Sequence, residues 1–222
     1  MHILLTGASG LLGQGVLNAC LASPVVHRVT VLARRPLAHA DERIEVLLLE
    51  DFAQAAAVRD RLAGIDACFY CAGAPPVGTA EDEYRHVTVD LTLAVARAYA
   101  AANPQGRFLY VSGANSDPDS RLMPLRVKGE VEVALQTLPI RTVMLRPGGI
   151  LPEQGTRSPH GVLRALHALA RPLQGALIRN VPSAATTNGG IGRAMIALAQ
   201  DTAPPAVVEN RQINALGKPG GA

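Results

Sequence analysis

Tryptophan is absent from this chain, and aromatic residues make up only 3% of its 222 positions. So few rings exclude the stacking platforms on which modules binding RNA or single strands rely. A dominant charge is missing too: 21 Lys and Arg face 18 Asp and Glu, a net charge of +3. The excess is spread along the chain and forms no basic stripe, so no nucleic-acid partner is expected. No apolar run approaches the roughly 18–20 residues of a membrane span, so no membrane partner is expected either. The opening His2-Ile3-Leu4-Leu5-Thr6 runs straight into Gly7, without the basic start and long apolar stretch of a secretion signal. Three cysteines are an odd number and make a poor disulfide framework, so a reducing, cytoplasmic setting is the expectation.

What is present is apolar. At 48% hydrophobic and 18% charged, the chain can bury a real core, which excludes disorder as its main state. The length suits one domain covering 1–222. Short β-branched and apolar runs at 2–6, 28–33, 44–49, 66–71, 107–112 and 140–145 read as strands. Helical patterns at 11–22, 53–63, 81–102 and 126–138 separate them, with Gly64 closing the second and Asn103-Pro104 stopping the third. Near-continuous apolar strands alternating with helices predict an α/β fold, a Rossmann-type doubly wound parallel sheet buried on both faces. Beyond 147 the pattern loosens, with helices expected at 161–170 and 189–199. The stretch 147–216 reads as a small C-terminal appendage on the substrate side, and 217–222 as frayed.

Thr6 is followed by Gly7-Ala8-Ser9-Gly10-Leu11-Leu12-Gly13, a glycine-rich turn between the first strand and the first helix. In a dinucleotide site Gly7 would make the tight turn, Gly10 would let the backbone approach the pyrophosphate, and Gly13 would let the helix pack close. The helix N-terminus would add free N–H groups and a positive dipole end. The end of the second strand, Leu32-Ala33-Arg34-Arg35-Pro36, lacks the carboxylate that grips the ribose 2′-hydroxyl of NAD. Its two guanidiniums suit a 2′-phosphate instead, so NADP(H) is preferred over NAD(H). Asp51, before Phe52, could accept from the adenine amine and could cap the following helix, and both roles can hold together. Cys71-Ala72-Gly73-Ala74 ends the fourth strand with small residues that permit close backbone approach.

Cys68 and Cys71 form a C-x-x-C, but on a strand they would point to opposite faces and neither bridge nor share a metal. His39, His86, His160 and His167 show no paired spacing, so no metal site is expected. Ser112 ends the fifth strand, where ligands of open α/β sheets sit. Pro147-Gly148-Gly149 ends the sixth and would line the same mouth.

Taken together, these residues resemble the short-chain dehydrogenase/reductase superfamily in its atypical branch, nearest to the Tat-interacting-protein-like oxidoreductases and epimerase-like relatives. The resemblance runs along most of the chain. It rests on the glycine loop, Arg34-Arg35, Asp51-Phe52, Val111-Ser112-Gly113-Ala114-Asn115 and, most tellingly, Leu125-Arg126-Val127-Lys128-Gly129-Glu130-Val131-Glu132 with Leu145-Arg146-Pro147-Gly148-Gly149. Val208-Glu209-Asn210-Arg211-Gln212-Ile213 fits the group as well. The resemblance implies NADP(H) binding and reduction of a small carbonyl or quinone-like substrate, or a regulatory role with a protein partner. A sugar-nucleotide epimerase or dehydratase ranks behind both. The family pairs a Tyr with a Lys four residues later, the Lys holding the nicotinamide ribose and the Tyr passing the proton. Lys128 matches the Lys, but Pro124 stands in the Tyr position and carries no proton. Ser112 and Lys128 are thus the catalytic candidates, with His160 and His167 as substitute acids or ordinary surface histidines. Subunit pairing, where it occurs in this superfamily, commonly uses the helices at 81–102 and 126–138, which makes a homodimer an option.

Overall fold

The structure, a computed structural model, describes residues 1–37, 41–153 and 181–218. Seven parallel strands form the main sheet: β1 (His2–Thr6), β2 (Arg28–Ala33), β3 (Ile44–Leu48), β4 (Ala67–Tyr70), β5 (Arg107–Val111), β6 (Arg141–Arg146) and β9 (Val207–Glu209). Their order is β3-β2-β1-β4-β5-β6-β9, so the chain winds outward in both directions from the β1/β4 boundary. Thr6 at the end of β1 is in register with Leu32 of β2 on one side and Tyr70 of β4 on the other. This is the expected doubly wound α/β architecture, whose ligand crevice lies at the strand C-termini where the order reverses.

Alternation along the strands divides the core in two. Ile3 and Leu5, with Val29, Val31, Phe69 and Leu109, face α1 (Leu11–Ala22) and α5 (Asn188–Gln200). Leu4, Leu32, Tyr70, Phe108 and Met144 face the opposite layer of α3 (Leu91–Ala102), α4 (Met123–Gln136) and the helix Phe52–Leu62. Cys68 belongs to the second layer and Cys71 packs against the first, on opposite faces as expected.

Several local readings need correction. The segment expected as an ordinary helix at 53–63 is 3₁₀, Phe52–Leu62, bent at Gln54. Phe52, Ala55 and Leu62 are its buried residues, packed with the second core layer. The long helix expected over 81–102 is broken into α2 (Glu81–Arg85), a π-helical turn His86–Asp90, and α3. The helix expected from 126 begins at Met123, because Pro124 fits the first turn, where its missing N–H is an orphan in any case. Strand ends move by a residue or so, as with Ile44–Leu48 and Ala67–Tyr70.

The described parts of 147–216 go to two places. β7 (Gly149–Leu151) and β8 (Ala185–Thr187) pair into a small second sheet. α5 packs on α1, with Gly192 so close to Val16 and Ala19 that a side chain would collide, and β9 extends the main sheet. β9 and the short α6 (Asn210–Leu216) are too brief to show as periodic patterns. The helix expected at 161–170, His39, His160, His167 and the last four residues lie outside the described residues.

Candidate functional site

The glycine loop is held from below. The buried Thr6 hydroxyl accepts from the backbone N–H groups of Cys71 (3.1 Å) and Ala72 (3.2 Å), tying the end of β1 to the end of β4. Gly7 turns the chain with φ of +72°, and a Cβ there would lie 2.7 Å from the Cys71 backbone. Gly13 lies under the loop, where a Cβ would stand 2.0 Å from the Gly7 carbonyl oxygen. Gly10 differs: its nearest neighbour would be the Gly7 oxygen at 3.4 Å, so its open side faces space. Gly10 is also the N-cap of α1 and has no side chain to satisfy the first-turn N–H groups. Those donors and the dipole end are therefore available to an anion.

In front of the loop lies a cleft of about 480 Å³. Gly7, Ala8, Ser9 and Gly10 form one wall, and Arg34 and Arg35 stand at the end of β2. Phe52 and Tyr70 contribute an aromatic floor, and Cys71, Ala72 and Gly73 continue along the end of β4. Arg34 and Arg35 are exposed and make no ion pair among the described residues. Leu11, Leu12 and Gly13 are not on the cleft surface but support it from α1. Asp51 caps the helix Phe52–Leu62: its Oδ1 accepts from the Ala53 N–H at 2.9 Å, and it lies outside the cleft lining.

A second group gathers at the ends of β5 and β6. The Lys128 ammonium donates to the Ser112 carbonyl at 2.6 Å, joining α4 to the end of β5. Burial pulls the Lys128 pKa down to about 8, with Glu132 one turn further along α4 opposing the shift. Glu132 is itself buried and doubly bonded to Arg146 of β6, with Nε–Oε1 3.0 Å and Nη2–Oε2 2.6 Å. The Ser112 hydroxyl lies 2.9 Å from that of Ser116, which donates to the Gly113 carbonyl at 2.8 Å. Pro147 is buried, with its carbonyl accepting from Ala114, while the Gly148 N–H donates to Asn210 Oδ1 at 2.8 Å. Ser112, Lys128, Pro147 and Gly148 stand beyond the cleft lining, along the strand ends on the β5–β6 side. The cysteine thiols are poor acids and poor nucleophiles here: burial raises all three, Cys20 to about 12.

Sequence reasoning passed over several contributors. Tyr70 falls within the strand predicted over 66–71; it ends β4, almost wholly buried, at the edge of the cleft. Val87 and Leu91 reach the cleft from the π turn and the start of α3, an insertion with no sequence signature. Asn188, wholly buried, donates to the Leu11 carbonyl (2.8 Å) and accepts from the Glu153 and Gly189 N–H groups (2.9 Å each). It thereby anchors the start of α1 from a residue 177 positions away.

Known proteins resemble this chain. A family model described as the NAD dependent epimerase/dehydratase family matches residues 3–126. Leucinostatins biosynthesis cluster protein T of Purpureocillium lilacinum is 30% identical over 164 residues, 71% of this chain and 61% of that protein. The chain thus spans less than two thirds of that relative's length. The protein named fmp52, mitochondrial, of Aspergillus fumigatus is 30% identical over 178 residues, 76% of this chain and 75% of that one. Protein HTATIP2 of Rattus norvegicus is 29% identical over 160 residues, covering 71% and 66%. Among solved structures, a short chain dehydrogenase from Burkholderia cenocepacia in complex with NADP superposes with a TM-score of 0.64 at 20% identity. That superposition covers 93% of this chain and 87% of the other, and at such identity it speaks for the fold alone. The mitochondrial name of one relative leaves the cytoplasmic expectation without support from these likenesses. Among the described residues no helix is long and apolar enough to cross a membrane.

Proposed function

The chain belongs to the NAD dependent epimerase/dehydratase family, and from that premise we propose that it is an NADP(H)-dependent oxidoreductase acting on a small carbonyl or quinone-like substrate. The observation that carries the reading is the cleft: an open-sided Gly10 at an uncapped helix N-terminus, with two guanidiniums that make no ion pair among the described residues, and no carboxylate, at the end of β2. The residues fit the cofactor. Gly7 to Gly13 and the first N–H groups of α1 would receive the pyrophosphate. Arg34 and Arg35 would hold the 2′-phosphate. Phe52, Val87 and Leu91 would form the apolar border of the adenine side. Cys71, Ala72, Gly73, Pro147 and Gly148 would border the nicotinamide end, where Lys128 can reach the ribose hydroxyls. The bound cofactor supplies hydride, and the chain's task is to orient, exclude water and manage the proton.

Calorimetric titration of NADPH and NADH into the wild type and the Arg34→Ala/Arg35→Ala variant tests this. Charge-assisted hydrogen bonds contribute about 1.5–3 kcal/mol each, so NADPH should bind at least about tenfold tighter than NADH, and the double variant should lose that difference. Failure of both nucleotides to bind would overturn the reading.

One observation favours a second reading. Pro124, one turn before Lys128, has no proton to give, as in a fold that retains NADP(H) as a sensor and signals to a protein partner. Tight NADPH binding without oxidation across aldehydes, ketones and quinones would select it. An epimerase or dehydratase acting on a sugar nucleotide remains the third choice.

A further inference from the structure

We infer that Lys128 is the acid that protonates the substrate oxygen, a role that rests on the oxidoreductase reading above and deepens it. Reduction of a carbonyl sends a hydride from NADPH to the carbon, and the π pair moves onto the oxygen. One proton must then reach that oxygen. Among the described residues, few groups at the ends of β4, β5 and β6 have one to give. Tyr70 and Tyr110 are buried in the core, and burial raises both hydroxyls far above their usual range. The Cys71 thiol is raised in the same way. Ser116 commits its proton to the Gly113 carbonyl, so in the pair of hydroxyls it is Ser112 that donates to Ser116, and both protons are engaged.

The Lys128 ammonium is different. It carries three protons, and one is used at the Ser112 carbonyl. No second hydrogen-bond partner faces it among the described residues. Gly113 leaves its side uncovered: a Cβ there would lie 3.7 Å from Nζ, so any side chain at 113 would stand against the amine. An ammonium held on a backbone carbonyl, with two protons unspent and a glycine beside it, is built to meet an oxygen. Once the proton has moved to the alcohol oxygen, Lys128 is a neutral amine and recovers a proton from solvent. The sum is NADPH, a carbonyl and one proton going to NADP⁺ and an alcohol.

The surroundings keep this proton transferable. Burial lowers the Lys128 pKa to about 8, near the working range of an acid. Glu132 on the same helix pulls the other way, and Arg146 from β6 neutralises much of it, with Glu209 of β9 on Arg146's far side. The charged groups from α2, Glu81 and Arg85, pair with Arg126 and Glu130 on α4. His86 and Asp90 of the π turn pair with each other.

The test uses the whole chain with aldehyde and ketone substrates at saturating NADPH. Lysine Nζ or Cε resonances, assigned with Lys128→Met, should show one amine titrating near pH 8 in the free protein, without any turnover. Wild-type kcat should fall about tenfold per pH unit above that point. Lys128→Met should lower kcat by about 100-fold or more, the range of a lost general acid, while NADPH affinity measured separately changes less than the rate. Lys128→Arg keeps the charge and the hydrogen bonds to a ribose but cannot release a proton, so it too should lose kcat. Full kcat in Lys128→Arg, or no alkaline fall in the wild type, overturns the proposal and leaves the oxidoreductase reading standing. Bound NADPH with no turnover in the wild type removes the reading and the proposal together.

Discussion

Alanine at Gly10 and alanine at Gly13 should separate binding from folding within one loop. At Gly10 the backbone has φ −82° and ψ 164°, open to any residue, and the new Cβ would lie no closer than 3.4 Å to its nearest neighbour. Replacing an N-cap glycine by alanine costs about 1 kcal/mol at most. The stiffer unfolded chain offsets about 0.4–1 kcal/mol of that. Stability should therefore stay within about 0.5 kcal/mol of wild type, the usual range for a tolerated substitution. The methyl, however, would project from the wall where phosphate must approach the backbone, and NADPH affinity should fall at least tenfold, about 1.4 kcal/mol. At Gly13 the Cβ would lie 2.0 Å from the Gly7 oxygen and 2.5 Å from its carbonyl carbon, both backbone atoms that a rotamer change cannot move. Overpacking of this kind costs about 3 kcal/mol or more. Helix propensity returns about 1 kcal/mol of it. A net loss of about 2 kcal/mol should lower the Tm by about 4–8 °C in a chain of this size. Thermal unfolding by circular dichroism and calorimetric titration with NADPH read the two quantities separately. Wild-type NADPH affinity in Gly10→Ala would refute the assignment of the loop to the pyrophosphate. An unchanged Tm in Gly13→Ala would refute the packing argument.

Two further perturbations probe the supports of the site. Glu132→Gln leaves Glu209, at 3.4 Å, as the only anionic partner of Arg146 among the described residues and should cost about 3 kcal/mol in urea unfolding, as for a broken buried pair; a loss under about 1 kcal/mol would contradict it. Because the Glu132 charge raises the Lys128 pKa, the same variant should shift the Lys128 resonance titration below pH 8, so the ammonium is lost at lower pH. Asn188→Ala removes one donor and one doubly used acceptor from a fully buried site, and should destabilise the chain by about 2–3 kcal/mol in the same assay. A fall in NADPH affinity should accompany it, since the start of α1 loses its anchor.

Much of this molecule is legible in one dimension because its causes are local. Apolar runs of five or six residues separated by helical patterns can only be buried as parallel strands with helices on both faces, and β1 and α1 have the limits that their periodicity predicts. The glycine loop is readable for the same reason: Gly7 needs its positive φ, and Gly13 its missing side chain, whatever else the chain does. The cap role of Asp51 is local in the same way, and the hydrogen bond from Ala53 shows it. Other features depend on residues far apart in sequence. The 3₁₀ form of Phe52–Leu62 and the π turn at His86–Asp90 have no signature in the sequence. The depressed pKa of Lys128 exists only because α4 presses it against the end of β5, and Asn188 matters only because α5 returns to the start of α1. Sequence specifies which local conformations and chemical groups are available. Tertiary packing decides which of those groups are desolvated, paired or left open, since desolvation and pairing are set by neighbours that the chain brings back from a distance.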